Sequence, residues 1–229
     1  MTGIIGLVRL PDAASILNAS LGYASILAAS EGRLAASAAL ILLAMAADGL
    51  DGFLARRLGD GPLGVQIDSL ADAVSFGAAP AYLAWSAFGS DFGSAFSILG
   101  PFYLACGILR LARFNVTGKK NGEFQGMPIP GAGAFVAASI FLDGPLLTAF
   151  LMVSMSLLMI STIPYPKLRD PRFVPPVLAV GAASAAAWHQ GDLRLSAGVV
   201  FLALIGYLIS PVVIDVCRRR GKRPPSRRG

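Results

Sequence analysis

The sequence predicts an all-α fold, a polytopic membrane bundle of about eight (six to eight) transmembrane helices with both termini cytoplasmic. Three observations predict it. The 229 residues are 55% hydrophobic and only 14% charged, with a mean hydropathy of +0.67, whereas a typical soluble domain is about 25% charged. Apolar stretches recur along the whole chain, several near the roughly 20 residues that a helix needs to cross a bilayer. The basic residues fall almost entirely on one side of the resulting topology. This composition excludes a disordered chain. The expected organisation is a single membrane domain over 1–216 and a basic tail over 217–229. Cys106 and Cys217 are far apart and suggest neither a disulfide framework nor a zinc site.

The first apolar stretch, about 13–30, follows MTGIIGLVRLPDAAS, which lacks the basic n-region of a cleavable signal peptide. The second and third, about 34–55 and 67–88, flank a polar loop. The third contains Pro80, which is expected to kink it just beyond Ser75, Phe76 and Gly77. The fourth, about 95–115, carries Arg110 and Arg113 at its end. Met127-Pro128-Ile129-Pro130 breaks helical geometry and reads as a re-entry turn before the short fifth stretch, about 129–143. The last three are about 145–164, 174–189 and 195–216. The lone histidine, His189, falls on the side away from the acidic groups described below and reads as a loop residue. No internal repeat is evident.

With both termini cytoplasmic, the N-terminus, the loops 56–60, 110–120 and 165–172 and the tail hold 17 of the 19 Lys and Arg. Arg33 and Arg194 lie on the opposite side. This is the positive-inside pattern, and it requires an even number of spans. The tail, CRRRGKRPPSRRG, reads as a solvated anchor near anionic headgroups. It has no interleaved aromatics and no folded scaffold, so the net charge of +6 does not point to nucleic acid. Lys119 and Lys120 read as part of a solvated loop.

The informative residues are four aspartates at the cytoplasmic ends of the second and third helices. Asp48 and Asp51 are spaced i,i+3, and Asp68 and Asp72 i,i+4, so each pair shares one helix face. Two antiparallel helices joined by a short loop bring the pairs together. Carboxylates so close repel unless cations neutralise them. An all-oxygen ligand set suits Mg²⁺ or Mn²⁺, and four carboxylates suffice for two ions about 3.5–4 Å apart, a geometry that holds phosphates during in-line displacement. Gly49, Gly52, Ala55 and Gly64 leave room nearby. Arg56, about 80° around the helix from Asp48, suits bidentate phosphate binding.

Residues 48–72, DGLDGFLARRLGDGPLGVQIDSLAD, fit D-x2-D-G-x2-A-R-x7-G-x3-D-x3-D. This resembles the signature of the CDP-alcohol phosphatidyltransferase family. Residues 68–81 (DSLADAVSFGAAPA), 110–115 (RLARFN), 125–130 (QGMPIP) and 11–27 (PDAASILNASLGYASIL) resemble its phosphatidylserine synthase subgroup. The resemblance covers residues 11–131 and implies an integral membrane enzyme, in the cell (plasma) membrane with its site facing the cytoplasm. It implies transfer of a phosphatidyl or archaetidyl group from CDP-diacylglycerol or CDP-archaeol to L-serine, with release of CMP. It also implies a homodimer. Under it, Asp48, Asp51, Asp68 and Asp72 match the metal ligands and Asp72 the general base. Gly52, Ala55, Arg56 and Gly64 fall at CDP-binding positions, with Asn18 facing the nucleotide from the first helix.

Arg110, Arg113 and Asn115 are candidates for binding the acceptor's carboxylate or a lipid phosphate; the two arginines serve equally well as positive-inside anchors at a helix end. A sister transferase acting on glycerol 3-phosphate, inositol phosphate or another alcohol is the nearest alternative. An ion-coupled transporter is the alternative of a different class, and it predicts acids spread through the bilayer depth rather than clustered at one interface.

Overall fold

The computed structural model describes residues 3–59, 61–118, 124–142, 144–165 and 174–221. Lys119, Lys120 and the tail beyond residue 221 lie outside the described residues. The fold is all-α. Its helices are α1 (Leu10–Ser30), α2 (Leu34–Leu58), α3 (Gly64–Asp72), α4 (Ala79–Arg113), α5 (Ile129–Ser139), α6 (Pro145–Ile160), α7 (Val174–His189) and α8 (Leu193–Gly221). A π-helical turn, Ala73–Ala78, joins α3 to α4, and a second, Phe114–Gly118, follows α4. The β structure among the described residues is a two-residue antiparallel ladder pairing Phe124 with Tyr165 and Gln125 with Pro164.

Every apolar stretch of the sequence corresponds to helix. α1, α2 and the segment Ser94–Val116 are long and apolar enough to cross a membrane. The third and fourth stretches are two limbs of α4 with its α3 extension. The backbone leaves helical geometry at Phe92 (φ −128°, ψ 30°), and the limbs lie side by side. A Cβ on Gly77 would come 2.7 Å from Leu104 Cδ1, and one on Gly100 would lie 3.7 Å from Ala81 Cβ. The outer surface is apolar: Leu70, Ile98, Leu146, Phe150 and Leu202 are 66–77% exposed. Large apolar side chains turned outward in this number suit hydrocarbon, not water.

α5 is the central element. Its 11 residues rise only about 16 Å at 1.5 Å per residue, the shortest of the apolar stretches. It is buried nearly throughout, as a helix apolar all round must be. Small residues let it approach its neighbours closely: a Cβ on Gly133 would sit 3.2 Å from the backbone of Phe76 in the first π turn.

Buried hydroxyl pairs staple three helical hairpins. Ser25 and Ser37 meet at 2.8 Å across α1 and α2, Ser139 and Thr148 at 2.9 Å across α5 and α6, and Ser184 and Ser196 at 2.8 Å across α7 and α8. The connecting turns contain Gly32, Gly144 and Gly191, each at positive φ. The α1–α2 and α7–α8 turns share the pattern S-x6-G-x-L-x2-S, from Ser25 to Ser37 and from Ser184 to Ser196, and the same backbone hydrogen bonds around the glycine. The correspondence is between these two turns.

Candidate active site

The third helix owes its shape to proline chemistry. Pro80 offers no amide to the carbonyl of Phe76 four residues earlier, and the chain widens into the π turn Ala73–Ala78 immediately after Asp72. The expected bend is therefore a π bulge, a form that recurs at functional sites. α1 packs tightly on this bulge. Ser75 Oγ donates to the Asn18 carbonyl at 2.8 Å, and a Cβ on Gly22 would come 2.6 Å from Ser75 Cα.

Three of the four aspartates converge. Asp48 from α2 and Asp68 and Asp72 from α3 each offer a carboxylate oxygen, and these atoms lie within 4.8 Å of one another. Asp48 and Asp68 are half-buried and Asp72 is buried. The fourth, Asp51, is buried beside them and accepts a hydrogen bond from Ser15 Oγ at 2.6 Å. Asp72 Oδ1 accepts from Asn18 Nδ2 at 3.3 Å. In this bond the amide nitrogen is the donor. The bond leaves Asn18 Oδ1 as a buried side-chain atom with no hydrogen-bond partner among the described residues. An orphaned buried acceptor is costly, and this one belongs to the side chain that bonds Asp72. Hard oxygen donors clustered this closely fit a divalent cation such as Mg²⁺ or Mn²⁺.

Arg110, in the last turn of α4, is buried. It lies within electrostatic reach of Asp72, Asp48 and Tyr207, and its guanidinium stands 5.8 Å from the ring centroid of Phe114. Arg113, one turn on, has different company. Its guanidinium donates to the carbonyls of Met159, Ile160 and Ser161 at the C-terminus of α6, and to that of Gln125, at 2.9–3.0 Å. A cation there satisfies carbonyls that the helix leaves open. The structure thus separates two arginines that sequence spacing alone put together. Asn115 is exposed and bonds reciprocally with Ser69 (3.0 and 3.3 Å), the neighbour of Asp68.

The positions matching the CDP signature line the α2–α3 corner. Gly52 and Ala55 are half-buried on α2 and Arg56 is exposed in its last turn. Gly64 starts α3, where a Cβ would meet Asp12 Oδ1 at 3.1 Å. Its small size therefore also suits the packing against Asp12. Asp12 is itself 1% exposed and accepts from the Arg9 amide at 2.7 Å, capping α1. His189 is exposed at the end of α7.

Sequence reasoning missed Ser15, Asp12 and Tyr207. The first two had a signal. Asp12, Ser15, Asn18, Gly22 and Ser25 recur every three or four residues and draw a polar and small-residue stripe down an apolar helix. Tyr207 had none, because α8 is joined to the site only by the fold. Its ring stacks on Tyr165 at 5.7 Å.

Comparison with known proteins gives the chain's relatives. The chain is 46% identical over 171 residues to an archaetidylserine synthase of Methanothermobacter thermautotrophicus, covering 72% of each chain. It is 36% identical over 176 residues to a CDP-diacylglycerol–serine O-phosphatidyltransferase of Methanocaldococcus jannaschii, covering 76% of this chain and 82% of that one. A Bacillus subtilis protein of the same name is 37% identical over 130 residues, 56% of this chain and 73% of its own. The model of one family, CDP-alcohol phosphatidyltransferase, matches residues 8–211, a stretch that begins before α1 and takes in every aspartate of the cluster. The convergent aspartates are thus set in a scaffold matched almost end to end, and the chain belongs to the CDP-alcohol phosphatidyltransferase family.

Proposed function

We propose that the protein moves a phosphatidyl or archaetidyl group from a CDP-linked lipid to the hydroxyl of L-serine and releases CMP. The convergence of Asp48, Asp68 and Asp72 within 4.8 Å, beside the buried Arg110, carries the reading. The relatives' names support serine as acceptor, and the 46% identity to an archaetidylserine synthase favours CDP-archaeol as the lipid.

In this reading Asp48, Asp51, Asp68 and Asp72 hold two divalent ions. When bound, these ions neutralise the diphosphate and stabilise charge on the oxygens of the group in transfer. Asp72 accepts the proton of the serine hydroxyl as that oxygen attacks the lipid-side phosphorus, and the bond to CMP breaks. Arg56 binds phosphate from the end of α2. Gly52, Ala55 and Gly64 admit the nucleotide, and Asn18 Oδ1 accepts from one of its donors. Arg110 receives the serine carboxylate, with Asn115 at the rim. Arg113 supports Arg110 from behind through its grip on α6. One membrane domain, 1–216, carries this chemistry on the cytoplasmic face of the cell membrane, both termini and the tail 217–229 lie on that side, and the chain works as a homodimer.

The test is CMP release by the detergent-purified protein with Mn²⁺ or Mg²⁺. CDP-archaeol and CDP-diacylglycerol are each offered with serine, glycerol 3-phosphate or inositol phosphate. Metal-dependent release with serine alone is expected. Release only with a different acceptor overturns the serine assignment and leaves the family intact.

A further inference from the structure

Two of the four aspartates are gripped from behind by one helix. Ser15 and Asn18 are both buried, at 3% and 0% exposure. They lie three residues apart on α1, hence on one face. Ser15 Oγ donates to Asp51 Oδ2 at 2.6 Å, and Asn18 Nδ2 donates to Asp72 Oδ1 at 3.3 Å. The helix that bears them is fixed at both neighbours. Ser75 ties the Asn18 carbonyl to the π bulge at 2.8 Å, and Asp12 lies against the α2–α3 loop, where a Cβ on Gly61 would meet its Oδ2 at 2.6 Å. A side chain between α1 and the bulge is excluded at Gly22, so the spacing is set by backbone contact.

We infer that α1 is the outer layer of the metal centre, with Ser15 and Asn18 as positioning residues for Asp51 and Asp72. The inference rests on the metal-binding reading above, and it assigns to Ser15 a role that the family signature on α2 and α3 does not contain. A carboxylate on a flexible side chain rotates freely. One hydrogen bond from a buried donor holds one oxygen and turns the other toward the cation. Outer donors of this kind typically change metal affinity about 10–100-fold. Asp51 shows why such a strut is needed: it stands beside the three convergent acids, and Ser15 determines which of its oxygens faces them.

The experiment uses the full-length chain in detergent and Mn²⁺ alone as the probe. The Mn²⁺ concentration giving half-maximal thermal stabilisation is measured without lipid or serine, and the concentration giving half-maximal CMP release is measured separately. Ser15→Ala is expected to raise both about 10–100-fold while leaving the KM for serine at saturating Mn²⁺ unchanged. Ser15→Thr, which keeps the hydroxyl, is expected to restore both. Asn18→Ala is expected to shift both in the same direction. Ser25→Ala serves as control, since it removes an equally buried hydroxyl of α1 that bonds Ser37 and not an aspartate. An unchanged Mn²⁺ midpoint in Ser15→Ala overturns the inference, as does an equal shift in Ser25→Ala. A wild-type chain with no Mn²⁺ response at all overturns the metal reading itself, and serine specificity is a separate outcome because the thermal measurement contains no acceptor.

Discussion

The Tyr103 hydroxyl donates to the Phe76 carbonyl at 3.0 Å, supplying the bond that Pro80 cannot return. Both side chains are fully buried. Tyr103 belongs to the second limb of α4 and Phe76 to the bulge beneath Asp72, so one hydroxyl joins the two limbs and holds the bulge open. Tyr103→Phe keeps the ring and removes this donor. The expected cost is about 1–3 kcal/mol, the range for a buried acceptor left unsatisfied. It should appear as a lower thermal midpoint in detergent, with CMP release falling because the bulge sets where Asp72 stands. A midpoint identical to wild type would remove the role.

Asp72→Asn keeps the shape of the side chain and removes its charge and its basicity. The amide still reaches Asn18, and neighbouring Asp48 and Asp68 lose a repelling partner. Stability should therefore be equal to wild type or higher. CMP release should fall by at least about 10²-fold, the lower bound for loss of a general base. A variant that folds and retains release would assign the proton transfer elsewhere.

Chelation tests the cluster as a whole. Three carboxylates within 4.8 Å repel when no cation lies between them. Removing divalent ions with EDTA should abolish CMP release and lower the thermal midpoint together, and added Mn²⁺ or Mg²⁺ should restore both. Asp48→Asn with Asp68→Asn removes the repulsion and the ligands at once. In that double variant the midpoint should cease to respond to EDTA. A continued response would place the metal elsewhere.

The sequence announced the helices because hydrocarbon demands long apolar runs, and it announced the acidic pairs because charge inside such runs is conspicuous. Asp48, Asp68 and Asp72 could be placed together from helical spacing and one short loop. The partners of these acids were harder to read. Ser15 and Asn18 are three residues apart on a helix some thirty residues upstream of Asp48, and nothing local says which face of α1 turns inward; only the recurrence of Asp12, Ser15, Asn18, Gly22 and Ser25 hints at it. Arg110 and Arg113 show the opposite difficulty. Both sit at one helix end with the same charge, yet one faces aspartates and the other faces carbonyls. That difference is made by α6 and the Gln125–Met127 segment, which arrive from distant sequence. Pro80 foretold a distortion but not its form, because a kink and a bulge both answer a missing amide.

Gly126 and Arg113 form the lock between these distant segments. Gly126 has φ +80°, a region that favours glycine, and a Cβ there would come 2.7 Å from Arg113 Nη2 and 3.1 Å from the Leu158 carbonyl. Its amide bonds the Ile163 carbonyl at 2.8 Å, and that of Met127 bonds Leu158 at 3.1 Å. Gly126→Ala is expected to cost about 1–3 kcal/mol from backbone strain alone and to push the guanidinium from its carbonyls. Arg113→Lys keeps the charge and loses the planar fork, which a single ammonium cannot replace across four acceptors. Both variants should lower the thermal midpoint and raise the KM for serine, since Arg110 lies one turn from the lock. Neither should move the Mn²⁺ midpoint, because the aspartates are held by α1 and the bulge. A shifted Mn²⁺ midpoint with unchanged KM for serine would show that the lock supports the metal ligands and not the acceptor side.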